Sequence, residues 1–274
     1  MDSAVPAPAF AISRFLEDIR AVAPVAGSAL DVERLPDGRT TLVFRVLDEG
    51  RKADVAVSGP RTRAHFKNAT GVVRAVLLQF KPGWSAQLLG VAASALTDRI
   101  VPLEDLWGRS GSDLSLELLA APNLPAVMDR LGHALALRTR QTFEPASARL
   151  ARRAVRLLEA GEVRVENVAA QLGVTARHLR RAFTESIGIG PKDFARAVRL
   201  QRAVQRAATS HDWARIAADA GYYDQSHLIA EFRQLLGLTP SAFLKRAGAQ
   251  RPQRPQRPQR PQRPSSATRD AAAA

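Results

Sequence analysis

Short segments of β-branched or alternating hydrophobic and polar residues, bounded by Gly and Pro, occur in the first half of the chain. They predict an antiparallel sheet or small barrel built from residues 40–46, 53–57, 63–66 and 72–80. Ahead of them, residues 10–22 have apolar positions at helical spacing and predict a short helix. Residues 84–93 and 124–140 predict two further helices. Residues 1–145 are therefore expected to form an α+β domain, with residues 142–147 as a short linker.

From Ala148 onward the pattern is helical throughout. It predicts helices over residues 151–160, 166–172, 175–187, 191–208, 212–220 and 224–236, and a last turn opened by Thr239-Pro240-Ser241. An all-α domain is expected over residues 148–248. Residues 249–274 are a basic tail of Gln-Arg-Pro triplets followed by a short end. Because proline at every third position removes backbone donors, this tail is predicted to be extended and disordered.

Two of the predicted helix pairs share one layout. In each, a short helix contains a small residue that allows close approach, a glycine ends it, and an N-cap residue starts the next helix. Leu and Phe four positions apart anchor that next helix in a core. The matching positions are Ala169 and Ala217, Gly173 and Gly221, Thr175 and Asp224, Leu179 and Leu228, and Phe183 and Phe232. This is the layout of a helix-turn-helix unit, and two copies predict a DNA-binding domain with two reading units.

The outward positions of the second helix in each unit are the candidate base-reading residues. In the first unit, Arg177, Arg180 and Arg181 share one face near the helix N-terminus. A guanidinium fork matches the acceptors of guanine, worth about 1–3 kcal/mol of discrimination for a good pair; contact with phosphates alone is the alternative. In the second unit the outward residues are Gln225, Ser226, His227 and Arg233. Gln225 could bond bidentately to adenine, whereas His227 could equally pack locally.

The helix predicted over residues 191–208 sets the distance between the two units. At 1.5 Å per residue it spans about 27 Å, close to the ~34 Å between successive major-groove faces on one side of B-DNA. One chain could therefore place its recognition helices, over residues 175–187 and 224–236, in adjacent grooves. The polar side of this helix is expected to remain available to solvent or phosphate through Arg196, Arg199, Arg202 and Arg206.

The charge of the chain is distributed unevenly. The 274 residues carry a formal net charge of +14. Residues 1–147 hold 17 basic and 16 acidic side chains, residues 148–249 hold 17 and 9, and residues 250–274 hold 6 and 1, which gives +1, +8 and +5. A GC-rich genome explains why Arg outnumbers Lys but not why the first half is neutral. The predicted partner of the second half is a polyanion, double-stranded DNA.

Composition removes several kinds of chemistry. The chain has no cysteine, which excludes disulfides and thiol catalysis and fits a reducing, cytoplasmic location. No apolar run predicts a membrane span, and no export signal is recognised. Residues 1–147 contain only His65 and His133, so a cupin-type metal site is not expected. Trp84 and Trp107 are expected in the core, with a ligand pocket as the alternative. No cofactor and no enzymatic activity are predicted.

The second half resembles the DNA-binding domain of AraC/XylS-type bacterial transcription regulators. The similarity runs from about Arg149 to Arg246 through GVTARHLRRAF, PKDFARAVRLQRA, GYYDQSHLIAEFRQLLGLTP and SAFLKR. It implies seven helices, two reading units and control of transcription. Many relatives carry Arg at the place of Ala230, which implies that the second unit reads fewer bases here. Arg164 stands where Ser or Thr would cap a helix.

The first half is similar to the first domain of one subset of these regulators, through LPDG, LVF, FKPGW, LTDRIVPL and DLWG. In the wider family this position holds a sensor or dimerisation domain, often cupin-like. The chain is therefore predicted to be a sequence-specific regulator modulated by a ligand or partner. A small-molecule effector, RNA polymerase and a second copy of the chain are candidate partners. The alternatives are a constitutive or architectural DNA-binding protein whose N-terminal domain only dimerises, and a metal-dependent enzyme fused to DNA-binding helices.

Overall fold

A computed structural model describes residues 12–24, 29–141, 143–162 and 164–249. The basic tail over residues 250–274 lies outside the described residues. Within them, the N-terminal part contains seven strands: β1 (Leu16–Val22), β2 (Leu30–Arg34), β3 (Thr41–Leu47), β4 (Lys52–Ser58), β5 (His65–Ala69), β6 (Val72–Phe80) and β7 (Ile100–Pro102).

Five of the strands form one antiparallel sheet in the order β1-β6-β3-β4-β7, and β2 pairs with β5 in a separate two-stranded ribbon. In the middle of the sheet, Phe44 lies opposite Val55 of β4 and Val76 of β6. Alternate residues of a strand point to opposite faces, so Leu42, Phe44 and Val46 share one face. All three are buried, and this face is the core side of the sheet.

Four helices cover the core side: α1 (Ser85–Leu89), α2 (Leu103–Trp107), α3 (Arg109–Leu119) and α4 (Leu124–Gln141). The apolar stripe predicted for α4 is buried through Val127, Met128, Leu131 and Leu135. These residues join the strand side chains in one hydrophobic core. An antiparallel sheet covered by helices confirms the predicted α+β class of the N-terminal domain.

The helix predicted over residues 10–22 is wrong in its described part. Ser13–Phe15 form one 3-10 turn, and β1 follows, with Leu16 opposite Phe80 and Val22 opposite Ala75. Pairing with β6 overrides a helical spacing that is only a local preference. The strand predicted over residues 63–66 is shifted to β5, and the helix predicted over residues 84–93 is divided into α1 and a 3-10 turn, Ala93–Leu96. The sequence pattern missed β2, β7, α2 and α3.

The described C-terminal residues form seven helices, as the family resemblance implied: α5 (Ala146–Ala160), α6 (Val165–Gln171), α7 (Ala176–Ile187), α8 (Pro191–Ala207), α9 (Trp213–Ala220), α10 (Gln225–Leu236) and α11 (Pro240–Ala249). They build two separate cores, one around Phe183 and one around Phe232. Helix α8 contributes Phe194 to the first core and Leu200 and Ala203 to the second. One helix therefore belongs to both cores and connects them.

The N-terminal domain contacts both helical cores. The Thr97 hydroxyl donates to the Gly188 carbonyl at the end of α7 (2.6 Å), and the Ala64 backbone N–H donates to the Leu235 carbonyl of α10 (2.7 Å). The guanidinium of Arg152, in α5, stacks over the Trp84 ring at 3.7 Å. Within the described ranges, none of the helices combines the length and apolar character needed to span a bilayer.

Candidate nucleic-acid interface and ligand cavity

The first recognition helix, α7, is oriented by its cap and its buried anchors. Thr175 caps it, because the Thr175 hydroxyl accepts a hydrogen bond from the His178 backbone N–H at 3.2 Å. Leu179 and Phe183 have no exposed surface. The opposite side of the helix therefore points outward, and the three arginines predicted there, Arg177, Arg180 and Arg181, are all exposed.

The three arginines differ in their surroundings. Arg180 Nη2 lies 2.5 Å from Glu166 Oε1, and both side chains are more than half exposed. Exposed ion pairs contribute little, about 0–1 kcal/mol, so another acceptor can compete with Glu166 for this guanidinium. Among the described residues, Arg177 and Arg181 have neither a hydrogen bond nor an ion pair through their side chains. Their guanidinium groups can therefore bind another acceptor without first losing a contact within the protein.

The second recognition helix, α10, has the same construction. The Asp224 carboxylate accepts from the His227 backbone N–H at 2.7 Å, and the anchors Leu228 and Phe232 are fully buried. The helix therefore exposes the four residues predicted to point outward, which are Gln225, Ser226, His227 and Arg233. Ala230 is exposed as well.

The ring of His227 is engaged inside the unit. It meets the buried Tyr222 ring edge-on at 5.3 Å, and its Nδ1 lies 3.5 Å from the Tyr223 backbone nitrogen. This favours the local packing role that the sequence left open for His227. Tyr223 itself is 93% exposed beside the start of α10. Tyr223 was not among the predicted contact residues, and the available signal was a Tyr in the turn before an N-cap residue.

The expectation for the arginines of the connecting helix is wrong for Arg196, Arg199 and Arg202, whereas Arg206 is exposed as expected. All four were expected to remain available to solvent or phosphate, but the first three are partly buried against partners in the protein, and Arg206 forms only an exposed ion pair. Arg196 and Arg199 face Glu231 of α10, Arg202 donates to the Glu159 carbonyl of α5, and Arg206 pairs with Asp219 of α9. The helical spacing that placed them on the polar side of α8 could not reveal which neighbouring helices carry acceptors.

A cavity of about 520 Å³ lies between the second face of the sheet, the ribbon strand β2 and helix α8. Its walls are mixed, and the polar part includes buried Asp37, which accepts from Gln79 Nε2 at 3.5 Å, and Arg34, whose Nη2 lies 3.6 Å from an Asp37 oxygen. Buried Arg34 Nη2 and Thr41 Oγ1 have no hydrogen-bond partner within the described structure. From α8, Gln201 reaches this wall and donates to the Pro36 carbonyl at 2.9 Å.

Burial controls the electrostatics of the cavity. It raises the pKa of the Asp37 carboxyl, an effect that the Arg34 and Arg39 charges oppose. Burial likewise lowers the pKa of the Arg34 guanidinium, while Asp37 raises it. The two charges are thus desolvated and only loosely paired, and the buried Arg34 Nη2 and Thr41 Oγ1 are hydrogen-bonding groups that the described structure leaves unsatisfied.

The remaining candidates of the N-terminal domain are dispersed. Trp107 is 8% exposed and also lines a second cavity, of about 770 Å³, between α2, α3 and α4. Trp84 is half-buried beneath Arg152. His133 lines the second cavity, whereas His65 begins β5. The described residues contain no cluster of three or more His, Asp or Glu side chains able to hold a metal ion.

Comparison with known proteins connects these features to two families. Residues 168–246 match the family of the helix-turn-helix domain, and residues 6–102 match a domain of unknown function, DUF6597. A probable AraC family transcriptional regulator from Rhodopseudomonas palustris is 30% identical over 36% of this chain and 97% of its own, with a TM-score of 0.32. An AraC-type DNA-binding regulator from Chromobacterium violaceum is 26% identical over 39% and 96% of the two chains, with a TM-score of 0.35.

A longer but weaker similarity covers both domains. ToxT from Vibrio cholerae, solved with an unsaturated fatty acid, is 10% identical over 82% of this chain and 94% of its own, with a TM-score of 0.44. A search of curated proteins returns no match. The helix-turn-helix match spans both reading units, and the 30% identity extends over 97% of the solved chain of a probable AraC family regulator. The chain belongs to the AraC family of DNA-binding transcription regulators.

Proposed function

We propose that the chain regulates transcription by reading two successive major-groove faces of double-stranded DNA, with α7 in one and α10 in the next. The observation that carries this proposal is the pair of capped, core-anchored helices that expose polar side chains at either end of α8. The 17 residues of α8 span about 26 Å. Recognition helices at the two ends of this strut can approach grooves that lie ~34 Å apart.

Each exposed side chain has a role that follows from its chemistry. Arg177 and Arg181 are the first candidates to bond guanine, since their forks are unengaged, and Arg180 joins them when it leaves Glu166. In the second unit Gln225 reads adenine, with Ser226 and Arg233 as further contacts. His227 holds the first turn of α10 in place rather than reading a base.

Alanine substitutions distinguish base reading from phosphate contact. Arg177→Ala and Arg181→Ala should each relax the preference at a defined base position, by about 1–3 kcal/mol of discrimination, when measured by competition among duplexes with single base changes. Arg109→Ala, at an exposed arginine of α3, is the matched control and should leave every preference intact. Equal loss of affinity on all sequences in both recognition-helix variants would instead assign these arginines to phosphates.

For the N-terminal domain we propose a sensor role, with the effector in the cavity beside α8. We expect the ligand to be a small polar molecule, because Arg34, Asp37 and Thr41 are among the residues that line the cavity. Because Gln201 of α8 contributes to the same wall, a ligand that fills the cavity contacts the helix that spaces the two reading units. It would therefore favour one arrangement of the units over another, which is the requirement for modulation.

Thermal-shift screening of the full chain with small polar molecules tests the sensor role. A true effector should raise the melting temperature of the native protein and lose this effect in Thr41→Val, which keeps the side-chain shape and removes the hydroxyl. The effector should also change affinity for DNA. A constitutive or architectural binder, whose N-terminal domain only dimerises, would show no such ligand and a dimer by sedimentation. RNA polymerase remains a proposed partner, to be tested by transcription in vitro.

A further inference from the structure

The second recognition helix is fastened to the connecting helix by charged side chains. Glu231 of α10 is only 7% exposed. Arg196 Nε of α8 lies 2.6 Å from Glu231 Oε1, and Arg199 Nη2 lies 3.7 Å from Oε2. In the first unit the corresponding position, just before the anchoring Phe, holds the buried Ala182. The two reading units therefore differ in how they are held, although their layout in the sequence is the same.

The contacts of this carboxylate extend to the start of α10. Buried Tyr222 precedes the helix, and the Arg199 guanidinium lies 5.5 Å from its ring centre. Burial and the nearby Glu231 carboxylate raise the pKa of the Tyr222 hydroxyl. The Tyr222 ring in turn meets the ring of His227. Contacts thus run from Glu231 through Arg199 of α8 to Tyr222 and His227, at the turn that carries Gln225 and Ser226.

Helix rotation decides which base edges a recognition helix can reach. Successive side chains of an α-helix point about 100° apart. A rotation of the helix by a fraction of this angle would therefore move a side chain from a base edge towards the DNA backbone. Apolar anchors such as Leu228 and Phe232 resist rotation only by shape. The Arg196 guanidinium adds a directional constraint on the rotation of α10. It donates to Glu231 and also to Gln234 Oε1 at 2.6 Å, about one turn further along the same face of the helix.

We propose that Glu231 is a positioning residue of the second reading unit. Held by Arg196 and Arg199, it fixes the rotation of α10 against α8 and so determines which base edges Gln225 and Arg233 face. This inference rests on the proposed function, namely that α10 reads bases. It adds that the reading depends on a buried carboxylate that does not touch DNA.

The test uses the full chain and compares base preference in the DNA segment read by α7, the first half-site, with that in the segment read by α10, the second half-site. Glu231→Gln keeps the size of the side chain but leaves two arginines facing a neutral amide. Preference in the second half-site should fall about tenfold or more, the worth of one good bidentate pair, while preference in the first half-site stays unchanged. Asp219→Asn is the matched control: it removes an exposed ion pair between α9 and Arg206 of α8, at 3.0 Å, and should change neither preference.

A second variant covers the case in which Glu231→Gln does not fold. Arg196→Lys keeps the cation for Glu231 but cannot bond Glu231 and Gln234 together, because an ammonium lacks the planar fork. It should weaken preference in the second half-site alone, and unchanged preference in a folded Arg196→Lys would contradict the proposal.

Three results would overturn the proposal, and they are distinguishable. Equal loss of preference at both half-sites, in step with a lower melting temperature, would show that Glu231 only stabilises the domain. Unchanged preference in a folded Glu231→Gln would show that packing alone orients α10. A wild-type protein with no preference in the second half-site would remove the proposed reading by α10 itself, and that result is seen before any variant is made.

Discussion

Gly38 lies where the N-terminal domain meets the first helical core, and its lack of a side chain permits that contact. A Cβ built at this position would lie 2.5 Å from Phe194 Cδ2 and 2.8 Å from Ile187 Cγ2. Both neighbours are fully or almost fully buried, and the Phe194 ring is held edge-on by the Phe183 ring at 5.5 Å. Gly38 does not have a left-handed φ. Gly38→Ala should therefore act on domain docking and not on the local turn.

The size of the effect follows from these distances. Contacts below 3 Å with packed side chains cannot be relieved by a flexible chain end, and overpacking of this kind costs about 1–3 kcal/mol. Because Phe194 and Ile187 belong to the helical core and Gly38 belongs to the N-terminal domain, separation of the two domains is the simplest relief. With a factor of ten for each 1.4 kcal/mol, the undocked population should increase about 5- to 150-fold.

Hydrogen exchange at the Ala64 amide measures that population. This N–H donates to the Leu235 carbonyl, in the other helical core, so it becomes exposed when the whole interface opens. Its exchange should accelerate by the same factor in Gly38→Ala. Gly132→Ala is the control, because a Cβ there would meet Ile12 at an ordinary 3.7 Å. Unchanged exchange at Ala64 in Gly38→Ala would refute the docked arrangement or its cooperativity.

Three further predictions concern stability, each measured by urea unfolding. Asp224→Ala should cost about 1 kcal/mol by removing the N-cap of α10, and Asp224→Ser should recover most of it; no loss in the alanine variant would contradict the cap. Gly132→Ala, in the middle of α4, should stabilise the chain by about 0.5–1 kcal/mol, and destabilisation would mean that the helix packs more closely there. Burial raises the pKa of Asp37 above its ordinary 3.8, so the folded state binds the proton more tightly than the unfolded state. That contribution to stability is present below about pH 4 and is lost as the pH rises through the raised pKa. Asp37→Asn should reduce this pH-dependent fall, and an identical pH profile would contradict it.

Local pattern was sufficient to predict the reading units. Caps and anchors such as Thr175, Leu179, Asp224 and Phe232 act within one or two turns of helix, so their spacing in the sequence already determines which side chains point outward. The predicted bounds of the helices differ from the observed ones by a residue or two at most positions. The exposure of Arg177 could therefore be inferred without a structure.

Long-range contacts were beyond the reach of the same reasoning. The error at β1 arose because its conformation is set by pairing with β6, some sixty residues away in the sequence. Arg196 and Arg199 of α8 were assigned to solvent because their acceptor, Glu231, lies in another helix. The cavity beside Arg34 likewise joins segments that are distant in the sequence. Such contacts produce no periodic pattern in the sequence, so they could not be predicted from the spacing of nearby residues.

The central claim is that one polypeptide presents two recognition helices to neighbouring grooves of one duplex. Selection of bound fragments from random DNA at physiological salt tests it most directly. We predict two short preferred elements whose centres lie about one helical turn, ~10 base pairs, apart. Recovery of a single element, or of fragments with no preferred sequence, would contradict the account.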